Sequence, residues 1–160
     1  LILVVVIGNI APKGKQKDAP MAYVKPTLML TDDGVLTMVR AAMAKATEIG
    51  QPQCIVIVDA SGESVSEFRM EGAKFLSLKS ARAKARTAAS IRVPSNAIPE
   101  AVHERIALAT EGCVTGLPGG LPVVMDGEVV GGIGIGSGSG DQDIAVANAA
   151  LAAIEAQVFD

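Results

Sequence analysis

Residues 67–89, EFRMEGAKFLSLKSARAKARTAA, constrain the fold more than any other stretch. They read as the end of a strand, a turn at Gly72, and a helix of about five turns. At roughly 100° per residue, Ala73, Ser77, Ser80, Ala81, Lys84, Thr87 and Ala88 share one face. Lys79, Arg82 and Arg86 lie on the opposite one. Side chains this small let another backbone come close, so the small-residue face is expected to be buried. Lys84 stands in the middle of it. Burying an ammonium without a partner is costly. Lys84 therefore either meets a carboxylate, a set of carbonyls or a bound anion, or runs its stem out to the rim.

The rest of the composition fits such an interface. At 160 residues the chain is long enough for one domain with a real core. Its 49% hydrophobic content is drawn mostly from alanine, valine, isoleucine and glycine, with no Trp, three Phe and one Tyr. A core of that kind gains stability from close backbone packing, which suits helices docked tightly on a sheet. With 14 basic and 17 acidic residues and 2% aromatics, there is neither a basic groove nor a stacking platform, so nucleic acid is excluded as a partner. Cys54 and Cys113 match no metal spacing and are compatible with free thiols in a reducing compartment. A cytoplasmic location is expected, with secretion left open.

The chain opens on an apolar run, LILVVVIGNI. It is shorter than the roughly 20 residues a membrane-spanning helix needs, so no membrane partner is expected, and the run reads as a buried or partner-bound strand. Residues 1–20, this strand and a Pro/Gly/Lys connector, are set apart as an N-terminal extension, and 21–160 as the domain. Thr31 or Asp32 can cap a helix to about Glu48, with Gly50 ending it. CIVIVDASGESVSEFRM follows as a hairpin about Ala60–Glu63. After the small-faced helix, Pro94 breaks the chain and a further helix is expected to about Thr110. A second hairpin turns at Asp126–Gly127, and Asp141 or Asp143 caps a last helix ending near Gln157. Helices at the ends of antiparallel hairpins imply an α+β fold, with helices packed on an antiparallel sheet of about five strands.

Several motifs can be tested against their chemistry. The segment GGIGIGSGSG at 131–140 lacks a correctly spaced G-x-G-x-x-G and has no G-K-[ST]. Asp141 and Asp143 beside the following helix start would repel a phosphate. The segment reads instead as a close-packed strand end before a capped helix, or as amides that receive a small carboxylate or a propionate. His103 is the only histidine, too few for a zinc site with two distant cysteines. No C-x-x-C-H is present, which excludes covalent haem attachment. Met70 is core filler or a soft ligand. Asp59, Arg69, Glu71 and Lys84 form the best candidate polar constellation, either a salt-bridge cluster closing the sheet–helix seam or an anion-binding or acid–base site.

Three stretches in order, VIVDASGESVSEFRMEGA, SLKSARAKARTAA and GLPGGLPVVMDGEVVGGIGIGSGSGDQDIAVANAA, resemble the GlcG/HbpS haem-binding family, which also supplies the C-terminal domain of PduO-type proteins. The resemblance spans roughly residues 33 to 157 and implies an antiparallel sheet flanked by helices, assembling into homo-oligomers, octamers in some members. It carries over the motif positions Arg69, Met70, Gly72, Ser77, Lys84, Thr87, Gly119, Gly120, Pro122, Gly131, Gly134, Asp141 and Gln142. Lys79 stands where related chains often have an acidic residue. A hydroxyl or imidazole just after the small-faced helix is implicated in haem contact in the family. Ser95 occupies that region here, and His103 follows as the candidate iron ligand.

The resemblance implies a haem- or tetrapyrrole-binding accessory protein, with haem as cofactor. Lys84, Arg69 or loop amides would hold the propionates. The alternative from the residues themselves is a cofactor-independent enzyme acting on a small carboxylate or hydroxy/oxo acid at a subunit interface. Lys84 or Glu71 would then be the acid–base group.

Overall fold

The computed structural model describes Tyr23 and residues 25–160. The apolar run 1–10, the connector and Met21 lie outside the described residues. The order of elements is α1 (Asp32–Glu48), β1 (Cys54–Asp59), β2 (Ser64–Arg69), α2 (Ser77–Ile91), two short 3-10 turns, α3 (His103–Ala109), β3 (Gly120–Met125), β4 (Glu128–Gly136) and α4 (Gly140–Ala152). The four strands form one antiparallel sheet in the order β2-β1-β4-β3. The fold is α+β, as the hairpin-and-helix pattern predicts. The strand count is four among the described residues rather than about five, and the strand expected at residues 1–10 lies outside them.

Local signals set most of the boundaries. The Thr31 hydroxyl accepts the Gly34 N–H at 3.1 Å and starts α1. Gly50, at φ +68°, follows the helix end. Asp126 and Gly127, at φ +51° and +80°, make the tight hairpin turn between β3 and β4. In the other hairpin, Asp59 Oδ1 accepts the Ser61 N–H at 2.8 Å, the Ser61 hydroxyl at 2.6 Å and the Glu63 N–H at 3.1 Å.

Four boundaries differ from the sequence reading. One is the end of α4, which stops at Ala152 rather than near Gln157 as the chain turns through Glu155 at φ +58°. The helix expected from Gly72 begins at Ser77, after a turn that carries Lys74 and Phe75. The helix expected to reach Thr110 unbroken is two 3-10 turns and a short α3, because Pro94 and Pro99 both hold the chain extended. The cap of α4 is Ser139, in a capping box with Gln142, and neither Asp141 nor Asp143.

The two faces of the sheet are packed by different means. On one, Ile55, Ile57, Leu121, Val123, Ile133 and Ile135 meet α1 and α4 through Met38, Val39, Ala42, Val146 and Leu151. Each large side chain buried there contributes about 1.5–3 kcal/mol. On the other face, Val56 and Val58 meet Ala81, Ala85 and Ala89 of α2, and β4 offers only glycine. A Cβ at Gly132 would collide with the Ala85 carbonyl, and one at Gly134 with the Ala81 carbonyl. At Gly136 it would lie 2.9 Å from Ser77 O. Four helical residues rise about 6 Å, and two strand residues span about 6.7 Å. Successive alternate glycines therefore fall opposite successive turns of α2.

The alternation in GGIGIG is thus a division of labour along β4, isoleucine toward the large core and glycine toward α2. Gly134→Ala is expected to cost about 3 kcal/mol by prising α2 from the sheet. Gly127→Ala, with nothing within 4 Å of its Cβ, is expected to cost about 1–2 kcal/mol of backbone strain. Urea denaturation of both variants checks this, and the reverse order of cost would rule out close backbone approach as the reason for glycine.

Candidate functional site

Docking α2 directly on glycine carries Lys84 into the protein. Its residue is 5% exposed. Lys84 Nζ donates to Ile135 O at 2.8 Å and to Asp143 Oδ2 at 2.6 Å. Asp143, in the first turn of α4, is 2% exposed. Its other oxygen, Oδ1, accepts the Gly138 N–H at 3.1 Å. The snorkelling alternative for Lys84 is therefore replaced by a carboxylate and a carbonyl, two of the partners its placement requires.

Burial pushes the Asp143 carboxyl above its ordinary value; the Lys84 hydrogen bond and charge, and the Gly138 amide, pull the other way. The rise is the expected balance for a pair this dry, since desolvation of both ions competes with their attraction. Behind Gly138 lies Gln53, fully buried, whose Oε1 accepts the same Gly138 N–H at 3.1 Å. Its Nε2 makes no hydrogen bond of good geometry, although the Gln53 side chain lies close enough to Asp143 to help pull that carboxyl down. Burial also raises the Cys54 thiol, against the nearby Arg69 charge.

The pair forms part of the wall of a cleft of about 340 Å³ between the start of α2, the Leu117–Pro118 segment and the Ser137–Gly140 loop. Ser77 and Ser80 line it from α2, and Lys74 from the preceding turn. Ser137 is held at φ +100°, a conformation costly for a residue with a Cβ. Three bonds fix it there. Its hydroxyl accepts the Lys74 N–H at 3.0 Å, and its carbonyl accepts from Lys74 Nζ at 3.2 Å and Gln51 Nε2 at 3.3 Å. A larger groove, about 450 Å³, runs along the outer side of α2 past Lys79, Arg82 and Arg86. Its guanidinium groups are engaged, Arg82 by Glu67 and Arg86 by Gly62 O and Glu63.

The structure brings together some of the predicted residues and separates others. Lys84 and Ser77 line the cleft, and a Cβ at Gly119 would lie 3.4 Å from Lys84 Nζ. Thr87 and Ser95 work beneath it. The Thr87 hydroxyl accepts the Thr115 N–H at 3.0 Å, and that of Ser95 donates to Leu117 O at 2.6 Å and accepts the Gly120 N–H at 3.0 Å. They pin the 110–120 segment onto α2 and onto the 3-10 turn that follows it, while Gly120 and Gly134 give the close approach. Met70 Sδ accepts the Gln53 N–H at 3.5 Å.

The constellation of Asp59, Arg69, Glu71 and Lys84 does not form. Asp59 is spent in its hairpin turn, Arg69 and Glu71 are exposed, and the partner of Lys84 is Asp143. Asp141 is exposed, and Gln142 Oε1 accepts the Ser139 N–H at 2.9 Å within the cap. His103 stands apart from the cleft's lining residues. Its Nε2 lies 2.8 Å from Ile98 O and its ring covers Gly116. A carbonyl only accepts, so Nε2 carries a proton here. Among the described residues no cluster of three His, Cys, Asp or Glu could hold a metal ion. No helix of the described residues is long and apolar enough to cross a membrane.

Asp143, Gln53, Lys74 and Ser137 are site residues the sequence reading passed over. A signal for Asp143 was available. Residues two apart on a helix point about 200° apart, so with Asp141 toward solvent, Asp143 must face the sheet.

Lys84→Met leaves Asp143 buried without its cation, at an expected cost of about 3–5 kcal/mol near neutral pH. Without Lys84 the folded-state pKa of Asp143 rises further above its unfolded value of about 4. The native state then binds the extra proton between those two values, so stability falls as pH rises through that window. Urea titrations at about pH 4 and about pH 7 are expected to show the smaller deficit at the acid end. An identical deficit at both would mean that Asp143 is not the group left unpaired.

Known proteins place this architecture. The family profile described as haem-degrading protein HbpS-like matches residues 30–152. The corrinoid adenosyltransferase PduO of Citrobacter freundii is 33% identical over 135 residues, 81% of this chain and 40% of that protein. The chain thus spans well under half the length of that relative. A crystal structure of a PduOC–haem complex superimposes with a TM-score of 0.77 at 29% identity, over 83% of this chain and 100% of the other. That of the Klebsiella pneumoniae protein ORFY gives a TM-score of 0.81 at 27% identity, over 87% and 99%. With its glycine-lined strand, small-faced helix and last hairpin all inside the matched region, the chain belongs to the HbpS-like family.

Proposed function

We propose that this protein binds haem or a related tetrapyrrole as an accessory protein, working as a homo-oligomer. The observation that carries the reading is an apolar rim next to a polar cleft. Phe75 and Leu76 are 69% and 62% exposed and lie in sequence between two cleft-lining residues, Lys74 and Ser77. Leu117, on the facing segment, is 52% exposed. Haem combines a flat apolar macrocycle with two carboxylates, and these residues offer both kinds of surface. The family description and the haem carried by a solved relative support the same reading.

The cleft is too small to enclose a macrocycle, so the ring would lie on Phe75, Leu76 and Leu117 while Lys74 and the serine hydroxyls take the propionates. A second copy would cover the ring's outer face. The bound group would supply a redox-active iron. His103, the one histidine of the chain, packs on Gly116 next to Leu117 and is the candidate ligand for that iron.

Titration with haemin is expected to give a saturable Soret shift. Phe75→Ser with Leu76→Ser is expected to weaken it by about tenfold or more, from the loss of apolar burial. His103→Ala is expected to change the Soret position with a smaller loss of affinity. Absence of a saturable shift in the unmodified protein would remove the tetrapyrrole reading.

A further inference from the structure

The cleft over Lys84 has a chemistry of its own that does not require a macrocycle. We propose that it is a receptor for a small monocarboxylic acid bearing a hydroxyl group. An ammonium carries three N–H donors. Lys84 spends two, on Ile135 O and Asp143 Oδ2, and keeps one at the cleft wall. Lys74 spends one on Ser137 O and keeps two. Ser77 and Ser137 add hydroxyl donors. Against these stands one charged acceptor, Asp143, whose roughly four lone-pair sites are met by Lys84, Gly138 and the neighbouring Gln53 side chain, which leaves about one for a ligand.

Two cations and one carboxylate leave the lining at net +1. A monoanion balances it; a dianion overshoots. The volume, about 340 Å³, is near the lower limit for a ligand pocket and suits a short acid. The division of donors and acceptor assigns the ends of the ligand. Its carboxylate goes to Lys74 and the serine hydroxyls, and its hydroxyl donates to Asp143. Leu117 and Pro118 provide an apolar wall for a short alkyl group. Strain at Ser137, φ +100°, is borne by the loop that aims the Lys74 side of the site, which is where functional strain is usually found.

This inference stands without the tetrapyrrole reading, and its test uses haem-free protein. Calorimetric titration with lactate, acetate and lactamide separates the parts. Lactate is expected to bind saturably, acetate about fivefold to tenfold more weakly for want of one hydrogen bond, and lactamide not at all. Lys74→Met is expected to weaken lactate binding by about tenfold or more. It also removes the Nζ bond to the Ser137 carbonyl, so a small drop in melting temperature is expected. Lys74→Arg, which keeps the charge and the donor, is expected to restore both. Equal binding of lactate and acetate, binding of lactamide, or an unaffected Lys74→Met variant would overturn the proposal. A cleft that serves only the propionates of haem gives haemin binding and no lactate binding, which also overturns it. Lactate binding without a Soret response would leave it standing and remove the other reading.

Discussion

The packing of α2 against β4, backbone on backbone, is the contact on which the rest of this molecule depends. Gly132 and Gly134 leave no room for a Cβ beneath Ala85 and Ala81. Side-chain interdigitation normally separates a helix from a sheet by about 10 Å. Removing the side chains on one side and reducing them to methyls on the other shortens that gap. Dispersion then acts between main chains, and a long side chain on the helix face cannot stay between the layers. Lys84 must leave toward the end of the interface, where Asp143 and the Ile135 carbonyl receive it.

That arrangement has an energetic cost. Replacing a buried ion pair with apolar side chains of like volume is often neutral or stabilising, so the pair is not needed to hold the fold. It is accompanied by the poorly satisfied Gln53 Nε2 and the strained Ser137. Three locally unfavourable features within one small region, beside a cleft, are a departure from the consistency seen elsewhere in the chain.

The cleft's surroundings explain how one site can present two kinds of surface. The turn before α2 exposes Phe75 and Leu76 while Lys74 and Ser77, on either side, line the polar hollow. Starting the helix at Ser77 is what makes this possible, because a helix begun at Gly72 would have placed these residues on a regular spiral. Thr87 and Ser95 then fix the opposite wall by tying the 110–120 segment down through buried hydroxyls.

By itself the sequence determined the fold class, both hairpin turns, the buried small-residue face and the anomaly of Lys84. These follow from local periodicity and turn chemistry, which neighbouring residues settle among themselves. The fit of alternate glycines to helical turns was also latent in GGIGIG, though only the partner's identity gives that alternation its meaning. Tertiary structure alone decided that Lys84 pairs with Asp143 and not with Glu71, that Gln53 lies behind the loop, and that Ser137 is forced to a positive φ. Those outcomes join residues 59 positions apart or more across elements. No local pattern encodes which of several carboxylates a buried cation will reach; the geometry of the closed interface does.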